Sequence, residues 1–214
     1  MRVKICGLMR KEDVQAAVDN GADAVGFVVQ SPSSRRNLRL VKARKLISSV
    51  PVFVTRVAVT SAGDLKTIDR ICSTLHPDAL QLHRHDTRLL REMRHTHPEI
   101  GLILATGIQR GLSVAGAAGS LRLSDAILAD TLGENGMGGT GQIHNWAMTA
   151  TLRKRIHPHP LILAGGLTAG NVRRAIEKVR PYGVDVSTGV ERKIGVKDHA
   201  KIREFIVNAR RATI

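Results

Sequence analysis

The chain has 214 residues, 43% of them hydrophobic but only 2% aromatic, so its core must be built from Val, Ile, Leu and Ala, which suits buried strands under helices. Thirty-three Lys and Arg against 18 Asp and Glu leave a formal charge of +15, a field that favours anionic partners such as a phosphorylated carboxylate, nucleic acid or acidic lipid. Two cysteines without a CxxC spacing exclude a disulfide framework and point to a reducing cytoplasm; with no basic-then-apolar leader and no apolar run near about 18 residues, neither secretion nor membrane spanning is expected.

The predicted elements alternate along the chain. Apolar runs of strand length fall at 3–6, 24–29, 52–59, 79–82, 101–105, 126–129, 161–164 and 184–187. Segments of helical spacing follow them at 11–20, 40–49, 64–75, 86–96, 109–119, 145–157, 171–179 and 197–209. Eight strand–helix units argue a parallel sheet. At roughly 27 residues per unit they can close into an α/β fold with one domain, a (β/α)8 TIM barrel over residues 1–214, lean beside the usual length of about 250. An open doubly wound sheet is the rival, but "CGLMRKED" after the first strand is not G-x-G-x-x-G.

In a barrel of this kind the chemistry sits on the loops that follow the strands. That rule puts Cys6 at the end of the first strand, Asp130 at the end of the sixth and Ser187 at the end of the eighth. Alternation sets Lys4 and Cys6 on one face of the first strand, opposite Val3 and Ile5. The apolar pair should face the helices, which turns Lys4 and Cys6 inward. An ammonium beside a thiol favours thiolate, the form that can take a proton; the other reading of Cys6 is a small apolar core residue. In "DAILAD" the same alternation turns Asp130 toward the barrel mouth, where a partly buried carboxyl of raised pKa can act as general acid. The alternative there is a loop or capping aspartate.

After the seventh strand, "LAGGLTAGNV" brings Gly165, Gly166 and Leu167 ahead of a helix start; after the eighth, "VSTGVE" brings Thr188 and Gly189. Glycines admit close backbone approach, and loops seven and eight form the phosphate site of this barrel class. "SPSSRR" after the second strand carries Arg35 and Arg36, and "QLHRHD" at the fourth carries Gln81 and His83. Loop six, "DTLGENGMGGTGQIHNW", contains Gly139 and reads as a mobile lid. His83 and His85 would share a strand face, but no third ligand follows at metal spacing, so no metal is expected. The pairs His95/His97 and His157/His159 end helices and belong on the opposite, stability face.

Together, "KICGL", "SPSSRR", "LQLH", "GGTG", "LAGGLTAGNV", "GVDVSTGVE" and "GVKDHAKIREFI" resemble, in order and over the whole chain, the phosphoribosylanthranilate isomerases of tryptophan biosynthesis. The resemblance implies a (β/α)8 barrel with no cofactor. It also implies conversion of N-(5-phosphoribosyl)anthranilate to 1-(2-carboxyphenylamino)-1-deoxyribulose 5-phosphate by an Amadori rearrangement. The family cysteine falls on Cys6 as general base, and the family aspartate ending strand six falls on Asp130 as general acid. The arginine that meets the anthranilate carboxylate falls on Arg35 or Arg36. Lys4, Gln81, His83 and Gly139 complete the expected substrate rim. The chain departs from the family pattern at Arg84, where glycine is usual, and at Thr188 and Ile194. It departs again at Ile143-His144-Asn145-Trp146, where F-D-W is usual and an amide replaces the carboxylate.

The expected partner is a small phosphorylated substrate, with no obligatory nucleic acid, no membrane, and a monomeric or homodimeric state. Another phosphosugar isomerase or epimerase on the same barrel is the enzymatic rival, including a bifunctional one that also takes a histidine-pathway substrate. Such enzymes rely on two strand-end aspartates, and a cysteine ending the first strand argues against that arrangement. A rival of another class is a basic nucleic-acid-binding barrel. Clusters such as "RRNLRLVKARK" suggest it, but they read more readily as solvated helix surface and lack interleaved aromatics.

Overall fold

The computed structural model describes residues 1–83, 86–108, 120–131 and 144–213. Its strands are β1 (Arg2–Ile5), β2 (Ala24–Val28), β3 (Thr55–Thr60), β4 (Ala79–Leu82), β5 (Gly101–Gly107), β6 (Ala126–Asp130), β7 (Leu161–Leu163) and β8 (Gly183–Val186). All eight run parallel and pair in chain order, and β1 closes on β8. The expected barrel is what forms. Around it stand α1 (Lys11–Asp19), α2 (Leu40–Ile47), α3 (Leu65–Leu75), α4 (Thr87–Thr96), α5 (Trp146–Ile156), α6 (Val172–Val179) and α7 (His199–Arg210). The helix expected at 109–119, Gly139, Arg84 and His85 lie outside the described residues.

Strand alternation sorts the side chains into two layers. Val3 and Ile5 join Val25, Phe27, Leu80 and Leu82 in the layer between barrel and helices. Cys6 joins Val28, Val59, Ala105, Leu128 and Ala164 in a second cluster, the barrel interior. Lys4 is buried in the same interior, opposite Asp185 in the β1–β8 register. Helix starts are marked by polar caps: Asp64 accepts from the Thr67 N–H, Asp86 from Leu89, Asn145 from Ala147, and Asp198 from Ala200 and Lys201. Each satisfies N–H groups the helix itself leaves open. No helix among the described residues is long and apolar enough to cross a membrane.

Two of the boundary shifts have a plain physical cause. The third strand was expected from 52 but starts at Thr55, because Val52 and Phe53 belong to a turn: Phe53 adopts φ 75° and is fully exposed. An apolar run mimics a strand when its residues are surface ones. The last helix, expected from 197, starts at His199. Lys197 instead ends a small hairpin of β9 (Glu191–Lys193) and β10 (Val196–Lys197), and Asp198 is the cap. That hairpin carries two residues of the site described below.

Gly26 on β2 faces the interior, where a Cβ would stand 2.8 Å from Cys6 Sγ and 3.2 Å from Lys4 Cε and Nζ. Gly26→Ala should therefore force both side chains aside, at about 1–3 kcal/mol of stability, the usual cost of overpacking. Urea unfolding at pH 7 measures it; a midpoint equal to wild type would mean that the interior has slack there.

Candidate active site

The C-terminal rim gathers most of the expected residues. Lys4 Nζ lies 2.9 Å from Asp185 Oδ1, an ion pair with both side chains under a tenth exposed. Burial pulls the Lys4 ammonium down, but Asp185 and Cys6 outweigh it and the net shift is upward. Cys6 is buried one turn of the alternation above Lys4. Burial pushes the Cys6 thiol above its ordinary range, against the pull of Lys4 and Lys197, while Asp185 pushes it further up. The expectation of a favoured thiolate saw Lys4 but not the loss of water. Cys72, buried on α3, is pushed up to about 12 for the same reason, with Asp69 and Glu99 pushing the same way.

Asp130 ends β6 and is 8% exposed. Burial pushes its carboxyl up to about 7, helped by Asp185; the Thr131 N–H, donated to Oδ1 at 2.7 Å, and Lys4 pull the other way. Cys6 and Asp130 thus sense the same Lys4–Asp185 pair. Asp130 also lines a cavity of about 220 Å³ whose other walls are Gly165, Gly166, Leu167, Thr188 and Gly189, together with Asp185 and Ser187. Gly165 and Gly166 have φ 81° and 64°, conformations that L side chains rarely adopt, and a Cβ on Gly189 would collide with the Leu167 carbonyl oxygen. The two turns are therefore backbone-walled, as a polyoxygen anion requires.

Arg35 and Arg36 are separated by the turn after β2. Arg35 is exposed. Arg36 crosses the end of β1, where Gly7 at φ 71° leaves room for it: a Cβ there would sit 2.5 Å from Arg36 Cδ. Its Nε and Nη2 donate to Glu191 at 2.7 and 2.6 Å, and Nη2 donates to Thr188 Oγ1 at 3.1 Å. Glu191 also accepts from Lys197 Nζ at 3.1 Å, and Lys197 donates to the Ser187 carbonyl at 2.9 Å. Burial pushes Glu191 up, but Arg36 and Lys197 hold it below the usual carboxylate range. Glu191, Lys197 and Asp185 were not expected as site residues. Asp185 alone had a signal, since alternation in "GVDVS" puts it on the face of Ser187 and away from Val184 and Val186.

Gln81 is buried, with its Nε2 3.1 Å from His83 Nε2 at the end of β4, away from the cavity wall. No group of three or more His, Cys, Asp or Glu suited to a metal ion occurs among the described residues. Of the outlying histidines, His97 meets Asp69 at 2.7 Å and His159 lies 3.3 Å from Ser124 Oγ, both ahead of the next strand.

A closed parallel barrel with a raised carboxyl, a buried thiol and a backbone-walled cavity on one rim is the arrangement of a (β/α)8-barrel enzyme. A family model described as N-(5'-phosphoribosyl)anthranilate isomerase matches residues 3–208. The N-(5'-phosphoribosyl)anthranilate isomerase of Methanothrix thermoacetophila is 43% identical over 211 residues, 98% of each chain. The crystal structure of the enzyme from Thermotoga maritima superposes with a TM-score of 0.82 at 38% identity over 98% of each chain. Another solved phosphoribosylanthranilate isomerase, in complex with reduced 1-(o-carboxyphenylamino)-1-deoxyribulose 5-phosphate, has a TM-score of 0.79 at 36% identity, again over 98% of each chain. The chain belongs to the phosphoribosylanthranilate isomerase family of tryptophan biosynthesis.

The raised Asp130 carboxyl makes a stability prediction. Its folded value of about 7 exceeds the ordinary 3.8, so between those values the native state holds a proton that the unfolded chain has lost. Its contribution is complete below about pH 4 and is lost as pH rises toward 7. Asp130→Asn should thus be more stable than wild type at pH 8, by a few kcal/mol at most, and nearly equal to it at pH 4. Thermal unfolding at both pH values tests this; equal gains at both would remove the charge from the explanation.

Proposed function

We propose that this protein, acting as one barrel domain over residues 1–214, isomerises N-(5'-phosphoribosyl)anthranilate to 1-(2-carboxyphenylamino)-1-deoxyribulose 5-phosphate, with Asp130 as general acid and Cys6 as general base. The observation that carries this reading is Asp130: a carboxyl still protonated up to about pH 7, on the wall of a cavity that it shares with Asp185 and two glycine turns. The reduced product analogue held by the solved relative has the same chemistry, a phosphate at one end and a carboxylate at the other.

The substrate phosphate binds between Gly165-Gly166-Leu167 and Thr188-Gly189, where backbone can approach it from both sides. Arg36 takes the anthranilate carboxylate. Its Nε and Nη2 are committed to Glu191 and Thr188, which fixes the guanidinium plane and presents the Nη1 donors. Lys4, buried beneath Cys6, and the Gln81–His83 pair at the end of β4 complete the barrel side of the site. With both ends held, binding energy positions the reacting carbons between acid and base. Asp130 gives its proton to the furanose ring oxygen as the C1'–O bond breaks, leaving a protonated Schiff base. Cys6, the thiolate of the active form and further stabilised by the cation beside it, removes the C2' proton, and proton exchange with solvent afterwards restores Asp130 as acid and Cys6 as base. The enolamine then tautomerises to the ketone. Hydrogen, carbon and oxygen are rearranged within one molecule, and no cofactor enters the balance.

The two shifts order the protonation states unusually. The acid, at about 7, ionises below the thiol, so around pH 8 most molecules hold Asp130 as carboxylate and Cys6 as thiol. The active form, with these protons exchanged, is a minor and constant fraction of that population. kcat/KM should therefore rise through about pH 7 with Asp130 and fall only above the raised thiol value.

Fluorescence loss of the substrate, followed from pH 5 to 10 (a span set around the Asp130 value of about 7), tests both assignments. Cys6→Ser and Asp130→Asn should each lower kcat by roughly 10²–10⁴. Asp130→Asn should also erase the limb near 7, and retention of that limb would move the acid elsewhere. For the carboxylate, Arg36→Ala should raise KM about tenfold or more while Arg35→Ala changes it less than about twofold. The reverse pattern would return the role to Arg35.

A further inference from the structure

His144 sits where the chain returns from the glycine-rich segment to α5, and it is buried at 4% exposure. Its Nδ1 lies 2.9 Å from Thr131 Oγ1 and its Nε2 lies 2.6 Å from Thr149 Oγ1, on α5. Both threonines are buried. Thr131 follows Asp130 directly, and its N–H donates to Asp130 Oδ1. A Cβ on Gly165 would run into Thr131 Oγ1 and its amide and would lie 3.1 Å from Asp130 Oδ1, so Thr131 is packed between the strand-seven turn and the imidazole ring.

A buried imidazole is an expensive way to fill space unless both nitrogens are engaged. Here they are. Burial holds the ring below its ordinary value, hence neutral, and a neutral ring with one N–H satisfies one hydroxyl as donor and the other as acceptor. The result is a two-ended strut from the first turn of α5 to the residue that orients the acid. We propose that His144 is a positioning residue for proton donation: held by Thr149, its ring fixes Thr131 so that the Thr131 N–H stays aimed at Asp130 Oδ1.

The sign of the effect follows from that bond. An N–H donated to a carboxylate favours the charged form, so loosening Thr131 raises the Asp130 titration midpoint and misaims its proton. The charged groups facing Asp130 are Lys4 from β1 and Asp185 from β8, and neither is changed in the variants below; the β7 side presents the Gly165 backbone.

The test uses geometry. An Asn amide reaches where Nδ1 lies and a Gln amide where Nε2 lies, so His144→Asn keeps the Thr131 contact and His144→Gln keeps only the Thr149 contact. Carbon-detected NMR titration of the Asp130 carboxyl in the substrate-free protein is the primary readout, with kcat and KM beside it. His144→Phe and His144→Gln should move the Asp130 midpoint upward by about half a unit or more, and lower kcat about tenfold with KM within about twofold. His144→Asn should restore both toward wild type. Thr131→Val, nearly isosteric, should reproduce the shift, and combining it with His144→Phe should add nothing, because one chain of contacts is being cut twice. Equal behaviour of Asn and Gln, an additive double variant, or a midpoint unmoved while only the melting temperature falls would overturn the proposal. Should His144→Phe not fold, the shift in Thr131→Val decides alone. The kinetic arm rests on Asp130 being the acid of the proposed reaction. The titration arm needs no turnover, so an inactive wild type would sink that function while leaving this inference to be judged.

Discussion

The site is organised by one buried ion pair, Lys4 with Asp185, set across the seam where β1 closes the barrel on β8. Removing either member would strand a charge in an interior lined mainly by Val, Ile, Leu, Ala and Cys side chains, a loss of about 3–5 kcal/mol in comparable cases. Such a pair is weak evidence of stability, since an apolar replacement of the same shape commonly does as well. Its value here is electrostatic. Asp185 pushes both Asp130 and Cys6 toward their protonated forms, and Lys4 pulls both back. Loss of water then carries both upward, leaving the carboxyl near 7 and the thiol above its usual range. A carboxyl that would be fully ionised on the surface becomes an acid at neutral pH.

A second network, Arg36–Glu191–Lys197, does for geometry what the first does for protons. Glu191 takes two donors of one guanidinium edge and a lysine from the hairpin, so the arginine is oriented before any ligand arrives. A preoriented fork loses less freedom on binding a carboxylate than a mobile one. The hairpin exists because Gly195, at φ 78°, turns the chain back between β9 and β10, and a Cβ there would press on Met9 Sδ at 2.7 Å. The chain's last helix is thereby delayed to His199, and Lys197 is spent on the site.

The barrel was legible because alternation and helical spacing are local, repeated eight times, and consistent in each repeat. Inward placement of Lys4, Cys6 and Asp130 followed from the two-residue period alone. What could not be read were quantities set by distant parts of the chain. The thiol shift depends on how much water the whole interior excludes, which Lys4's proximity in sequence does not reveal. The choice between Arg35 and Arg36 depends on a turn at 31–37, where adjacent side chains diverge. Val52 and Phe53 have the composition of a strand and the exposure of a loop. In sequence His144 is only part of a departure from the family pattern; its role as a strut depends on a contact between residues 13 positions apart and on Thr149 reaching it from α5.

The scarcity of aromatic residues and the presence of the site have a common cause. An eight-stranded barrel encloses just enough room for its own inward side chains. Here several of those are small: Gly26, Ala79, Ala105, Ala126 and Ala164 share the interior with Lys4, Cys6 and Gln81. The space they leave is what lets a lysine stem, an amide and a thiol lie inside, with Cys6 Sγ and Lys4 Nζ both pressed against the Gly26 backbone position. A barrel filled with Phe or Trp would have no volume for them. Packing density must nonetheless be kept near that of a crystal, so the long polar chains are themselves the filling. In the proposed reaction, function and core are the same atoms in the upper half of this barrel. A substitution there acts on both at once, which is why titration and kinetic readouts, and not loss of activity alone, are needed to tell them apart.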